Sequence, residues 1–557
     1  MTWSAILGGV ILFSASVALY IWHNDRRLTH LSAQAGSFSP HRCTREDVEA
    51  TTARMLASPI SIADQIPPKT GRRYIVIGGA GFLGGWIVVQ LLERGEDPKK
   101  IRILDIRPPV RPDLTTGKAK DVQFMECDIA DRAAVDAAFH EPWPESDASE
   151  TTVFHTAANI RFYEKSKALL PNSARVNVNG TQHILDAAKA IGASTMVYTS
   201  SGSVSVRRTR FLLWPWEREP KLFVQPINED EGLIPKRHDQ FFSNYAATKI
   251  QAERRVRAAD KTPSGSGVLR TGCIRPGNGI FGPGGDMLCG AYLVRQVNPT
   301  WMDTVIQNFV YVENGALSHL LYEQRLIELA NGSQNPDIGG QAFVIADPGP
   351  PPTYGDVYLT LTTLMDGETV FPFVSPTLMI LMSHIIEGYY LLCKSSAFFA
   401  KLLPSLSGDM VNLQPSLFNL VNVHLIFDDS RARLPPEKGG LGYKGGWTTF
   451  EGLHKTVDEH KRGPLRSEQR SDVAGISLGF GLGKAQRGVS KVNETIKDND
   501  PHLINQLFDV IVQHSHVPHS SYSFICHLSR SSWCLTFITC STPGNAKRPK
   551  PHAARKP

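Results

Sequence analysis

Tyr74-Ile75-Val76-Ile77-Gly78-Gly79-Ala80-Gly81-Phe82-Leu83-Gly84 is the stretch on which the fold turns. Three of its first four residues are β-branched, which makes a buried strand. The glycines follow at once and fit both G-x-x-G-x-x-G (Gly78, Gly81, Gly84) and G-x-G-x-x-G (Gly79, Gly81, Gly84). From Trp86 to Arg94 the pattern predicts a helix, closed by Gly95. Glycine lets the backbone turn tightly and approach a pyrophosphate, whose charge meets the helix N-terminus. Gly78, Gly79, Gly81 and Gly84, with Phe82 and Leu83 between them, are therefore a candidate dinucleotide cradle. A second strand, Ile101 to Ile106, carries Asp105, 21 residues after Gly84. A carboxylate there accepts from the adenosine ribose hydroxyls and repels a 2′-phosphate, which favours NAD over NADP. Arg107, just past the strand, is the one feature that would suit a phosphate.

Further strands are expected at Val122 to Glu126, which leads into Cys127-Asp128-Ile129, at Val153 to Ala158, and at Thr195 to Tyr198. Asn177 is expected to open a helix running to Ala190. Strands alternating with helices predict an α/β chain with a doubly wound parallel sheet, a Rossmann fold, and its ligand at the carboxyl ends of the strands. One of these strands closes in Thr199-Ser200-Ser201. Downstream, Tyr245-Ala246-Ala247-Thr248-Lys249 puts a Tyr and a Lys four residues apart, on one face of a helix. That spacing alone is common. It gains weight by lying downstream of a strand that ends in Ser, in a chain with a dinucleotide loop.

Hydrophobic residues make up 41% of the 557 and charged residues 20%, which argues against wholesale disorder and against a polytopic membrane protein. The net charge of +6 invites a nucleic-acid reading. Residues 464–557, however, hold 12 of the 59 Lys and Arg and 6 of the 53 Asp and Glu, so the whole excess lies in that segment. The body is balanced, and no nucleic-acid surface is implied. Rich in Ser, His and Gly, residues 464–557 are expected to be a disordered basic tail. That composition fits an interaction tail and equally a segment foreign to the folded body. The eight Cys form no CxxC pair, so reduced thiols are expected, with no metal site and no catalytic Cys.

Ile6 to Trp22 is almost free of polar side chains, and Arg26 and Arg27 follow it. With Trp3 and Ala5 it approaches the ~20 residues that span a bilayer. The positive-inside rule then puts the body in the cytosol, with the endoplasmic reticulum the expected membrane. A cleaved signal peptide is the competing reading, but there is no basic n-region, and the A-x-A site at Ala33–Ala35 lies well beyond the apolar run. A second apolar run covers Phe371 to Leu403, with Ser375-Pro376 as N-cap and first helical residue. It fits a second span or a helix lying in the interface, against the plainer alternative of a core helix.

The stretches IGGAGFLG, FHTAA, VNVNGTQHILDAAKAIGAS, VYTSS, YAATKIQAE, IRPGNGIFGPGG, FVYVENGALSHL, GQAFVIAD and LGYKGGWTTFEGLHKTVDEH together resemble the extended short-chain dehydrogenase/reductases. Within that superfamily the chain is most similar to the 3β-hydroxysteroid dehydrogenases and the decarboxylating sterol-4α-carboxylate 3-dehydrogenases. The resemblance covers about Arg73 to Lys461. It implies that Tyr245 is the acid/base, that Lys249 lowers its pKa and holds the nicotinamide ribose, and that Ser201 bonds the reacting oxygen, with Ser200 as fallback. It further implies Asp128 and Ile129 beside the adenine, and Arg275-Pro276-Gly277 beside the nicotinamide, which adds Pro276 to the cofactor set.

The activity implied is NAD-dependent oxidation of a 3β-hydroxyl on a sterol or triterpenoid, with loss of CO2 where the neighbouring carbon bears a carboxylate. A dehydrogenase/isomerase, a terpenoid-pathway dehydrogenase, a nucleotide-sugar epimerase or dehydratase, and an NAD-binding scaffold without catalysis are the alternatives. Family habit implies a homodimer. The expected organisation is an anchor over 1–27, a linker over 28–72, an NAD-binding domain over 73–276, a smaller substrate-binding region over 277–463 with a membrane-associated segment at 371–403, and the tail. From Ser201 to Tyr245 is 44 residues, longer than usual in the family. The extra part, about 207–242, holds Trp214-Pro215-Trp216 and fits a substrate lid, a membrane contact or a surface insertion.

Overall fold

The β-branched run before the glycines forms an interior strand of a parallel sheet. The computed structural model describes residues 3–144, 149–286, 288–406 and 408–463, so the expected tail lies outside the described residues. The strands are β1 Arg73–Ile77, β2 Ile101–Asp105, β3 Gln123–Glu126, β4 Thr151–His155, β5 Thr195–Thr199, β6 Val224–Ile227, β7 Thr262–Ser264, β8 Gly267–Pro276, β9 Ile280–Phe281, β10 Val310–Tyr311, β11 Ala342–Ile345 and β12 His424–Phe427. The main sheet runs β3-β2-β1-β4-β5-β8-β11, all parallel, with β7 antiparallel to β8. Val76 pairs with Ile103 on one side and Phe154 on the other, so the winding reverses between β1 and β4. This is the doubly wound sheet that the sequence predicts.

Helices cover both faces, which is why β1 reads as a continuous apolar run rather than an alternation. Phe82–Glu93 and Val312–Ala330 bury Ile87, Val88, Leu91, Ala316 and Leu320 on one face. Arg132–His140, Thr181–Ala190 and Asn244–Ala258 bury Val135, Ile184, Ala252 and Val256 on the other.

Several boundaries differ from expectation. The helix after the glycines starts at Phe82, not Trp86, because Gly81 already serves as its N-cap with extended backbone. Packing overrides the poor helix propensity of Gly84 and Gly85. Asn177 does not open a helix. The chain is helical from Leu170, and Arg175–Gly180 is a π-helical segment leading into Thr181–Ala190. The strand expected to reach Ala158 ends at His155, because Thr156 and Ala157 both turn their N–H groups onto the carbonyl of Ile77, at 2.9 and 3.2 Å.

The expected linker 28–72 is a folded arm. It carries helices Ala33–Phe38 and Arg45–Ala57, and Arg42 and Arg54 pair with Asp356 (2.8 Å) and Glu451 (2.6 Å) of the body. The stretch 207–242 is likewise woven into the body. Its strand β6 pairs in parallel with β12, and Phe211, Leu213, Phe223 and Ile227 are buried, with Phe211 and Ile227 in one core with Phe418 and Leu425.

Among the described residues two helical segments are long and apolar enough to cross a membrane, one near the N-terminus and one at Pro376–Ser395. The helix Trp3–Leu28 is exposed over most of its length, and its last turns are seated on the body. There Asn24 is buried, donating to the Phe211 carbonyl (3.1 Å) and to Thr377 Oγ1 (2.8 Å) and accepting from Leu213 N (3.1 Å). Arg27 donates to the carbonyls of Trp214 (3.1 Å) and Pro215 (2.8 Å). The apolar run 371–403 is two helices rather than one, because Ser396 caps a second helix, Ala397–Leu402. Ser375 and Pro376 start the first as the sequence predicts. Ile380, Ser383, Ile386 and Tyr390 are buried against the body, while Leu378, Leu381, Ile385 and Leu392 are exposed.

Candidate active site

The glycine loop leaves no room for side chains. Gly78 has φ +81°, and a Cβ there would lie 2.7 Å from Thr156 Oγ1 and 2.8 Å from Ala157 N. A Cβ on Gly84 would lie 2.2 Å from the Gly78 carbonyl oxygen. Loop and helix therefore touch backbone to backbone. Gly81 caps the helix without a side-chain hydrogen bond, which leaves first-turn N–H groups for an anion. Phe82 is half-buried and Leu83 is buried, both in that first turn.

Asp105, at the end of β2, accepts from Ala80 N (3.2 Å) and Ile106 N (2.8 Å), and burial pushes its carboxyl up. Asp128 and Ile129 follow β3, where Asp128 accepts from Ala130 N (2.9 Å) and Ile129 packs against Gly180. Pro276 ends β8 and is buried. The glycine loop, Asp105, Asp128 and Ile129 thus follow the carboxyl ends of the neighbouring strands β1, β2 and β3, and Pro276 stands at the carboxyl end of β8, on the other side of the point where the winding reverses. The shaped cradle, the helix start without a side-chain cap and the carboxylate beside Ala80 fit the pyrophosphate and adenosine ribose of NAD.

Gly84→Ala is expected to lower stability by about 2 kcal/mol, because the methyl group must displace backbone rather than a side-chain tip. NAD affinity should fall roughly tenfold or more as the loop opens. Denaturant unfolding and NAD titration check this. An unchanged midpoint and unchanged affinity would refute the cradle.

The two serines after β5 are used differently. Ser200 is buried and donates to Glu253 (2.5 Å), whose carboxylate is held by Arg275 at 2.9 and 2.6 Å. Ser201 starts a short turn, Gly202–Ser205, with its Oγ 2.8 Å from Ser203 Oγ. Ser200 is thereby committed to Glu253, which leaves Ser201 as the candidate partner of Tyr245.

Helix Asn244–Ala258, capped by Ser243, carries Tyr245 half-buried and Lys249 only 1% exposed. Burial pushes the Tyr245 phenol up to about 12, and the Ser201 hydrogen bond acts to lower it. The Lys249 ammonium donates to the Thr199 carbonyl (2.5 Å) and lies 4.2 Å from the Tyr198 ring centroid. Burial brings Lys249 down to about 7. Nearby His155 is held neutral, pushed down to about 3 by burial and then by the Lys249 charge. A phenol and a hydroxyl set side by side can share one proton with a substrate oxygen.

Two supports were not readable from the sequence. The buried Glu253–Arg275 pair joins residues 22 positions apart with no local signal. Asn177 accepts from Asn159 N (2.8 Å) and donates to Thr248 Oγ1 (3.0 Å), pinning the π-helical segment beside Lys249.

Residues 75–370 match the family model described as 3-beta hydroxysteroid dehydrogenase/isomerase. The chain is 27% identical over 448 residues to the 3beta-hydroxysteroid-dehydrogenase/decarboxylase isoform 2 of Arabidopsis thaliana, covering 77% of this chain and 68% of that one. It is 28% identical over 284 residues to the decarboxylating sterol-4-alpha-carboxylate 3-dehydrogenase of Candida albicans, covering 50% and 70%. It is 30% identical over 266 residues to the 3 beta-hydroxysteroid dehydrogenase/Delta 5-->4-isomerase of vaccinia virus (strain Ankara), covering 44% and 65%.

Proposed function

The chain belongs to the 3-beta hydroxysteroid dehydrogenase/isomerase family and is an NAD-dependent short-chain dehydrogenase acting on a CH–OH group, and from this premise we propose that it oxidises the 3β-hydroxyl of a membrane-dissolved sterol or triterpenoid. The observation that carries the reading is Ser201, just past β5, acting on Tyr245 of the helix Asn244–Ala258, with Lys249 buried one turn further along that helix. Ser201 orients the substrate hydroxyl toward Tyr245. Tyr245, as phenolate, takes the hydroxyl proton while the carbinol hydrogen leaves with its electron pair and the ketone forms. NAD, when bound, supplies the hydride acceptor. The glycine loop and Asp105 hold the cofactor's pyrophosphate and adenosine ribose, Asp128 and Ile129 its adenine, and Lys249 its nicotinamide ribose, with Pro276 alongside.

Where the substrate carries a carboxylate on the carbon next to the alcohol, oxidation yields a β-keto acid. Its carbon–carbon bond breaks to release CO2 and an enolate that is then protonated, so no further catalytic side chain is required. The two decarboxylating relatives favour this course.

The proposal includes a seat in the endoplasmic reticulum membrane with the body in the cytosol. Its support is the exposed apolar length of Trp3–Leu28, ended by Arg26 and Arg27 on the body's side, and the exposed apolar face of Pro376–Ser395.

NADH formation from a 4α-carboxysterol, a 3β-hydroxysteroid and a UDP-sugar, with product masses, tests the reading. A carboxysterol product lacking two hydrogens and CO2 is expected. Turnover of the UDP-sugar alone would overturn it.

A further inference from the structure

We propose that the stretch 207–240 holds a binding site for the phosphate of an anionic glycerophospholipid headgroup, set beside the base of the N-terminal helix. The site deepens the membrane reading above and rests on it. An open cavity of about 610 Å³ is lined by Arg207, Arg208, Arg210, Lys236 and Asp239, with Leu233 among its apolar residues. Two of these charges are already spent. Arg210 is paired with Glu217, and Asp239 is clasped by Arg237 at 2.9 and 2.6 Å. Among the described residues, Arg207, Arg208 and Lys236 form no salt bridge, and the buried Nε of Arg207 has no hydrogen-bond partner. Arg208 spends one N–H on the Asp239 carbonyl (3.3 Å), and three cations without a salt bridge, two of them guanidinium forks, around one hollow match a phosphate diester better than a carboxylate or a neutral ligand.

The location identifies the source of that phosphate. Arg210 reaches Glu217, and Glu217 accepts from Trp214 N at 2.7 Å. One ion pair therefore joins the cavity wall to the Trp214–Trp216 turn. The two indoles are stacked, 5.4 Å apart and 1° from parallel, and are 57% and 74% exposed. Exposed tryptophans with basic neighbours suit the level of lipid headgroups. The carbonyls of that turn also receive Arg27 from the last turn of Trp3–Leu28. A phosphate in the cavity would thus lie beside the point where the helix leaves the body, as a headgroup does and a free metabolite has no reason to.

The full chain in neutral detergent, titrated with dihexanoyl phosphatidylserine, dihexanoyl phosphatidylcholine or inorganic phosphate and followed by thermal unfolding, tests this. The serine lipid should stabilise the protein with an apparent affinity roughly tenfold tighter than the choline lipid. The variant R207Q/R208Q/K236Q should lose that preference while keeping NAD binding and turnover. Equal response to the two lipids, or a preference that survives in the triple variant, overturns the site. Inorganic phosphate reproducing the full effect overturns the lipid source. Should the triple variant lose NAD binding, Lys236→Gln on the exposed rim decides instead, a several-fold loss of preference supporting the site and no loss overturning it. Flotation with phosphatidylcholine vesicles tests the membrane reading separately, because the soluble-lipid titration needs no bilayer.

Discussion

Tyr245→Phe is expected to lower the rate of NADH formation by about 10³, with NAD binding unchanged. The substitution removes one oxygen and leaves the ring in place, so the helix, its Ser243 cap and the half-buried packing of residue 245 persist. What disappears is the group proposed to take the proton. Because burial pushes the phenol up to about 12, the wild-type oxidation rate should climb with pH through the neutral and alkaline range as the phenolate fraction grows. Ser201→Ala removes the contact that acts to lower the phenol, so its profile should move further to the alkaline side. Steady-state kinetics against pH, with NAD titration alongside, check both. A Phe variant within about tenfold of wild type would take Tyr245 out of the chemistry.

Lys249→Met is expected to abolish most turnover and yet to stabilise the fold. The ammonium is 1% exposed and has no carboxylate partner within salt-bridge distance among the described residues. Burial brings its pKa from 10.5 to about 7, which bounds the stability lost to this group at about 5 kcal/mol. Met keeps the length of the side chain but loses the hydrogen bond to the Thr199 carbonyl, so a net gain on the order of 2 kcal/mol is expected. The sign with pH follows from proton binding. Between about 7 and 10.5 the unfolded chain holds this proton and the folded chain does not, so wild type gains stability as pH rises through that window. The advantage of the variant should therefore be full below about 7 and gone near 10.5. Denaturant melts at several pH values measure this. A variant less stable than wild type at neutral pH would mean that the buried ammonium is compensated.

The parts that could be read from the sequence are those in which chemistry is written locally. The glycines from Gly78 to Gly84 fall in one turn, because backbone must touch backbone there. Tyr245 and Lys249 are one helical turn apart. Ser375-Pro376 announces a helix start through two adjacent residues. What escaped is set by partners far along the chain. Neighbouring serines look interchangeable until Glu253, itself held by Arg275, engages Ser200 and leaves Ser201 as the candidate partner of Tyr245. Asn24 looks like the polar edge of an apolar run, yet three hydrogen bonds to residues 211, 213 and 377 make it the joint between helix and body. The π-helical segment around Asn177 has no N-cap signature, because the helix has already begun.

The pairing of β6 with β12 has a consequence for synthesis. It matches residue 224 with residue 424, closing a loop of 200 residues. Closure of that length costs about 5 kcal/mol of chain entropy before any contact repays it. Among the described residues, strands β6 and β12 pair with each other and with no strand of the main sheet. The wall that carries Phe211, Leu213 and the tryptophan turn is thus finished only after β12 has left the ribosome, at domain-scale folding times. The helix Trp3–Leu28 is made before its socket, which is completed only with β12. For most of translation the nascent chain carries an apolar helix whose Asn24 has no seat on the body.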